Sequence, residues 1–183
     1  MSVPLRILPR QLPPFVRGRI LAALSQATAD AFGCPAPSYG QLSYDERLRT
    51  YALFTREQAD GVLRTGRDVA TIRTRLFQNA CPLGRKARRW LGVDTMGEVM
   101  ALGQILYRAI GVEMQGDLRG DVTVTRCYFS QFYSGPVCDL ISALDDGLFS
   151  GLSGGGRLRF TERLTDGGDC CRARLRSGQE RQE

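Results

Sequence analysis

Residues 121–175 read DVTVTRCYFSQFYSGPVCDLISALDDGLFSGLSGGGRLRFTERLTDGGDCCRARL, and here the apolar period changes from that of a helix to that of a strand. Residues 121–128 alternate Val122, Val124 and Arg126 against Thr123, Thr125 and Cys127, the period of two of an extended chain. Ser134-Gly135-Pro136 then opens a helix. Gly135 serves as its cap, and Pro136 takes a first-turn position where its missing N–H costs nothing. This helix is expected to run from residue 136 to about 149, with Val137, Leu140, Ile141, Leu144 and Leu148 on its apolar face. The glycine-rich run 151–156 ends it. Two further alternating runs, 157–165 and 170–175, are joined by the hairpin turn signal Asp166-Gly167-Gly168-Asp169. The stretch therefore predicts a β-α-β-β unit closed by an antiparallel C-terminal hairpin.

Upstream the period is helical. Residues 15–32 carry Ile20, Leu24, Ala27 and Ala31 on one face and stop at Gly33, ahead of Pro35. Ser43-Tyr44-Asp45-Glu46 has the form of a capping box and opens a helix to about residue 60. A third helix covers 67–79, with Val69, Ile72 and Leu76 inward. Cys81-Pro82-Leu83-Gly84 reads as a break, followed by a short basic helix over 85–91. Thr95 and Glu98 make a second capping box, opening a helix that ends near Gly111; 116–120 is a loop into the first strand. The class is α+β. Residues 1–112 form a helical region, beginning with an extended arm over 1–13. Residues 113–176 form the cysteine-bearing α+β region that completes one compact domain, and 177–183 read as a disordered polar tail.

A chain of 183 residues is long enough for a real core and short enough for one domain. No apolar run approaches the roughly 20 residues of a membrane span. The opening MSVPLRILPRQLPPF is too rich in proline for a secretory signal. The expected location is the cytoplasm, where thiols stay reduced, so the six cysteines point to chemistry, metal binding or burial rather than disulfides. All but one of the 25 basic residues are arginine, and the net charge is +6. The densest basic cluster, Arg85 to Arg89, is short, so neither nucleic acid nor a membrane is the expected partner; a small molecule is. With no histidine in the chain, Ser-His-Asp and Cys-His catalysis and imidazole-bearing zinc sites are excluded. Acid–base work falls to carboxylates, thiols, tyrosines, Lys86 or water.

The candidate site gathers at the ends of these elements. Cys127 ends the first strand, Cys138 falls in the first turn of the following helix, and Cys171 shares the core face of the last strand with Ala173 and Leu175. Cys170, Arg172 and Arg174 are expected to face solvent. Cys138, Ser142 and Asp145 stand at i, i+4 and i+7 along one helix edge. A helix N-terminus favours a thiolate, which makes Cys138 the expected nucleophile and the most reactive thiol, with Asp139 or Asp145 relaying protons. Cys127, Ser142 and Cys171 would line the substrate, and Arg126 or Arg172 would hold a substrate carboxylate. In the alternative, Cys127, Cys138 and Cys171 hold Zn²⁺, although no C-x-x-C pair is present; otherwise no cofactor is expected. The Asp145-Asp146 pair reads more readily as solvated surface. The glycines 154–156 serve either as an anion cradle or as a plain connection. Cys34 and Cys81 read as small buried hydrophobes.

Five features in order carry a family resemblance: Val124-Thr125-Arg126-Cys127, Cys138-Asp139 opening a helix, a further aspartate at 145 or 146, Leu158-Arg159-Phe160, and Gly168-Asp169-Cys170-Cys171. On these residues, and on the helix over 96–111, the C-terminal half resembles the L-2-amino-thiazoline-4-carboxylic acid hydrolase-like proteins. The resemblance implies a hydrolase or lyase that opens a small heterocycle at a C=N or C–S bond, using a cysteine as nucleophile or metal ligand. A broader similarity to small-molecule-binding domains of the 4-vinyl reductase type implies binding without turnover.

Overall fold

The computed structural model describes residues 12–66 and 68–176; most of the expected N-terminal arm and the whole polar tail lie outside them. Helices α1 (Pro14–Phe32), α2 (Tyr44–Thr65), α3 (Val69–Leu91) and α4 (Met96–Ala109) precede strands β1 (Val112–Gly116) and β2 (Asp121–Cys127). Helices α5 (Gly135–Ile141) and α6 (Ala143–Ser153) then lead to β3 (Arg157–Glu162) and β4 (Cys171–Arg176). The class is α+β, as the change of period predicts. Both capping boxes form: Ser43 and Glu46 satisfy each other's backbone N–H groups at the start of α2, as Thr95 and Glu98 do at α4.

The strands make one antiparallel sheet in the order β1-β2-β4-β3. Strand β1 is an addition to the predicted β-α-β-β unit. It is only five residues long, and its burial alternates from Val112 through Met114, too short a pattern to stand out at the end of a helix. The β1–β2 ladder is irregular. Arg126 pairs with Glu113 and Val124 with Met114, which leaves Thr125 without an opposite number. This bulge resets the alternation. Val122 and Val124 face the core, Arg126 faces solvent, and Cys127 turns inward.

Helix α2 runs on to Thr65, past its expected end near residue 60, and two further helix boundaries differ from expectation. Helix α3 runs unbroken through Cys81 to Gly84, although Pro82 cannot donate the bond that position 82 owes to the helix. The reason lies in α6, which packs parallel to α3 almost backbone to backbone. A Cβ built on Gly147 would stand 2.2 Å from the Phe77 carbonyl, one on Gly151 2.2 Å from the Cys81 carbonyl, and one on Gly84 2.1 Å from the Leu148 carbonyl. This long contact keeps the helix continuous, while Pro82 points to solvent. The single helix expected over 136–149 is divided at Ser142. Its Oγ donates back to the Asp139 carbonyl at 2.8 Å, a side-chain bond that competes with the ladder and bends helices.

The helices cover one face of the sheet. Leu21, Tyr51, Met100, Leu102, Phe149, Leu152 and Leu175 form the core between them. The other face is open and carries Thr123, Arg159, Arg172 and Arg174. No helix among the described residues is long and apolar enough to cross a membrane.

Candidate functional site

Between α2, α4, the core face of the sheet and α5–α6 lies a cavity of about 100 Å³. Its walls are mostly aromatic and aliphatic. Tyr51 and Tyr133 turn their hydroxyls away, to Thr28 at 2.9 Å and to Thr55 respectively, so they present rings rather than polar tips. Cys127, Cys138, Ser142, Asp145 and Cys171 all line this space. Of the residues singled out in the sequence, these five are brought together.

Three others are not. Arg126 is 79% exposed and lies 3.7 Å from Glu113, because the bulge at Thr125 turns it outward. Arg172 stands on the open face of the sheet, 3.0 Å from Glu162. Asp139, half-exposed, points away from the cavity. It is held between Arg73 and Arg163, the latter at 2.8 Å, and so has no geometry for a proton relay with Cys138. Cys170, expected to face solvent, is buried. It lies just before β4, where the alternation of that strand does not apply.

The state of Cys138 differs most from expectation. Ser134, not Gly135, caps α5, so the Cys138 N–H already donates to the Ser134 carbonyl at 2.9 Å. The thiol therefore lies beyond the free N–H groups of the terminus. Burial pushes it up to about 11, and the nearby Thr165 hydroxyl and the charge of Arg163 oppose this in part. Burial also raises Cys127, to about 12, and Cys171. Desolvation outweighs a helix terminus, which is worth at most about 2 kcal/mol. All three cavity thiols are accordingly protonated at neutral pH. They share the cavity, but no group of three or more His, Cys, Asp or Glu side chains among the described residues is arranged to hold a metal ion.

Asp145 and Asp146 are not a solvated pair. Asp146 is buried, bonded to Arg157 at 2.6 Å and to the Leu158 N–H at 2.8 Å. It ties α6 to the outer edge of β3 and is structural. Asp145 opens on the cavity and accepts a hydrogen bond from the Tyr107 hydroxyl. It is partly buried, and burial raises it to about 6, against the pull of that hydrogen bond and of Arg163.

Three polar residues of the site, Tyr107, Arg163 and Thr165, escape the sequence reading. Tyr107 is a polar-tipped side chain on the apolar face of α4, and a buried hydroxyl demands a partner; that demand was the available signal. Arg163 sits where 157–165 reads as one strand, yet β3 stops at Glu162. Its guanidinium lies over the Phe160 ring and bonds Asp139 and Ser142 through Nη2. Its side chain is 15% exposed. Arg163 Nε and Thr165 Oγ1 are both buried and have no hydrogen-bond partner among the described residues; the Thr165 hydroxyl lies near the Cys138 thiol without hydrogen-bond geometry. Each such orphaned group costs about 1–3 kcal/mol.

No protein-family model matches the chain, and comparison with curated proteins and with solved structures gave no significant match.

Proposed function

We propose that the chain binds a small planar carboxylic acid in the cavity. The observation that carries this reading is the pair of orphaned donors, Arg163 Nε and Thr165 Oγ1, in the cavity wall. An oxygen of the ligand would satisfy both at once. Arg163 supplies the cation that a carboxylate would meet, and Asp145, which faces the same cavity and titrates at about 6, would take up a proton as the acid binds. At about 100 Å³ the cavity is far below the 300–1,000 Å³ of drug-sized sites and suits one ring with a substituent.

Thermal-shift and calorimetric titration with benzoate, pyrrole-2-carboxylate and thiazole-4-carboxylate, each beside its carboxamide, tests the reading. The acids should raise Tm and slow alkylation of Cys138, and Arg163→Gln should abolish the preference for acid over amide. Failure of all three acids to bind would sink it.

A second reading, ring-opening hydrolysis of a thiazoline-like acid, is favoured by the convergence of Cys138, Ser142 and Asp145 on the cavity. The thiol at about 11 and the carboxyl at about 6 put proton transfer from Cys138 to Asp145 about 7 kcal/mol uphill. A cyclic C=N substrate avoids that cost by serving as the base. The Cys138 proton passes to the ring nitrogen as Sγ bonds to the ring carbon; the ring C–S bond then breaks, its sulfur leaving with a proton as a thiol while the carbon stays on Sγ as an isothiourea, and water attacks that carbon and releases the Cys138 thiol, so that one water is added overall. Turnover of 2-amino-thiazoline-4-carboxylate by the wild type and not by Cys138→Ser would support this reading; binding without turnover leaves the chain a binding module.

A further inference from the structure

The open face of the sheet is built from arginine. On β4, Arg172, Arg174 and Arg176 project outward at alternate positions, and Arg157 and Arg159 do so on β3; with Thr123 and Thr161 they line a broad groove of about 1,330 Å³. Arg157 pairs directly with Arg176 across the ladder, and Arg159 with Arg174. Like charges directly opposite one another weaken a sheet, so two such pairs side by side are a cost that folding alone does not explain. Acids answer three of the five: Asp146 holds Arg157 at 2.6 Å, Glu162 holds Arg172 at 3.0 Å, and Asp121 reaches Arg174 at 3.6 Å. Arg159 and Arg176 have no ion pair among the described residues.

We infer that this face docks an extended acidic segment of a partner protein. Alternate residues of β4 lie about 6.8 Å apart, the same repeat as alternate residues of any extended strand. Carboxylates at i, i+2 and i+4 of such a segment therefore fall in step with Arg172, Arg174 and Arg176. Arginine and glutamate side chains together fill the about 10 Å between packed sheets, and arginine forks match carboxylates in bidentate fashion. The face does not suit single-stranded nucleic acid, which calls for aromatic platforms between the cations. The aromatic ring bordering this groove, Phe77, is already covered by the Arg157 guanidinium at 4.6 Å. Addition of a strand at the β3 edge is likewise disfavoured, because Asp146 already takes the Leu158 N–H.

Fluorescence polarisation of the full chain tests this, with a labelled twelve-residue peptide of alternating Glu and Thr, its Gln-for-Glu analogue, and a twelve-nucleotide oligothymidine, each at low and moderate salt. The Glu peptide should bind, the Gln analogue should bind at least tenfold more weakly, and Arg159→Glu with Arg176→Glu should weaken the Glu peptide by at least tenfold. Arg49→Glu with Arg56→Glu, a charge-matched double change on the exposed side of α2, should alter it less than threefold. Should the double variant fail to fold, Arg159→Gln and Arg176→Gln taken singly serve the same comparison. Equal binding of the Glu and Gln peptides, tighter binding of the oligothymidine, or an equal effect of the double change on α2 would overturn the inference.

Discussion

The hydroxyl of Tyr107 donates to Oδ1 of Asp145, joining α4 to α6 across the wall of the cavity. Both partners of this bond titrate above their ordinary values. Burial and the nearby carboxylate drive the Tyr107 phenol upward, while burial brings the Asp145 carboxyl to about 6. The pair keeps an ionisable acid in an apolar chamber at a cost in stability, a pattern typical of groups retained for a task other than folding.

That cost has a definite sign. Asp145 has a higher pKa folded than unfolded, about 6 against 3.8, so the native state binds its proton more tightly. Its contribution to stability is greatest below the unfolded pKa and is lost as pH rises from about 4 through 6. Asp145→Asn keeps an acceptor for Tyr107 and removes the charge. The variant is expected to be more stable than the wild type by about 2–3 kcal/mol at pH 7.5, and no more stable at pH 4. Urea unfolding of both proteins at the two pH values measures this. A wild type that is the more stable at pH 7.5 would show that Asp145 is well solvated.

The α3–α6 contact makes a packing prediction. Gly147 and Gly151 lie one turn apart, each against a carbonyl of α3 that a Cβ would meet at 2.2 Å. Backbone cannot yield as a side-chain tip can, so either alanine must push the helices apart. Gly147→Ala and Gly151→Ala should each lower stability by about 1–3 kcal/mol, the usual cost of overpacking, even though alanine is the better helix former. Gly61, with open space around its Cα, is the control: Gly61→Ala in α2 should stabilise by up to about 1 kcal/mol. Equal gains at all three positions in thermal melts would mean that the helices are not in backbone contact.

These glycines also show where the sequence is silent. The change of period at residue 121, both capping boxes and the helix-to-strand return near residue 157 are local signals, and each is read correctly without tertiary information. Pro82 inside α3 is the opposite case, since the helix survives because of residues 65 or more positions away. Cys127 is subtler. Strict alternation puts it on the face opposite Val122 and Val124, and only the unpaired Thr125, visible once β1 is in place, turns it inward. Asp145 and Asp146 differ in role although adjacent, because one meets Tyr107 and the other meets β3. Arg163 and Thr165 are missed for a related reason: their significance is the lack of a partner, which no sequence displays.

The open arginine face has a salt-dependent signature. Arg159 sits opposite Arg174 and has no acidic partner among the described residues. Arg159→Thr removes the repulsion and supplies a β-branched residue suited to a strand. The variant should gain about 0.2–1 kcal/mol at 20 mM salt and lose most of that gain at 1 M, where the screening length is about 3 Å. Chemical denaturation with urea, which adds no charge, is the measurement. A gain that persists at high salt would assign the effect to strand propensity rather than charge.

Cys138 holds a position in the chain that suggests activation, in surroundings that oppose it. A thiol titrating at about 11 is about 0.1% ionised at pH 8, against tens of per cent or less for an unperturbed cysteine near 8.5. Iodoacetamide reacts with the thiolate, so Cys138 in the folded protein should label on the order of a hundredfold more slowly than in the urea-unfolded chain, as read by mass spectrometry of its peptide. Cavity access alone could also slow labelling, so the pH profile decides between the two causes. A raised pKa makes the rate climb tenfold per pH unit up to about pH 10.5, whereas steric protection of an ordinary thiol levels off near pH 9. Arg163→Gln removes a cation that lowers the Cys138 pKa and should slow labelling further at fixed pH. Labelling of folded Cys138 at the unfolded rate would show an ordinary thiol, and a plateau at or below neutral pH would restore the activated nucleophile.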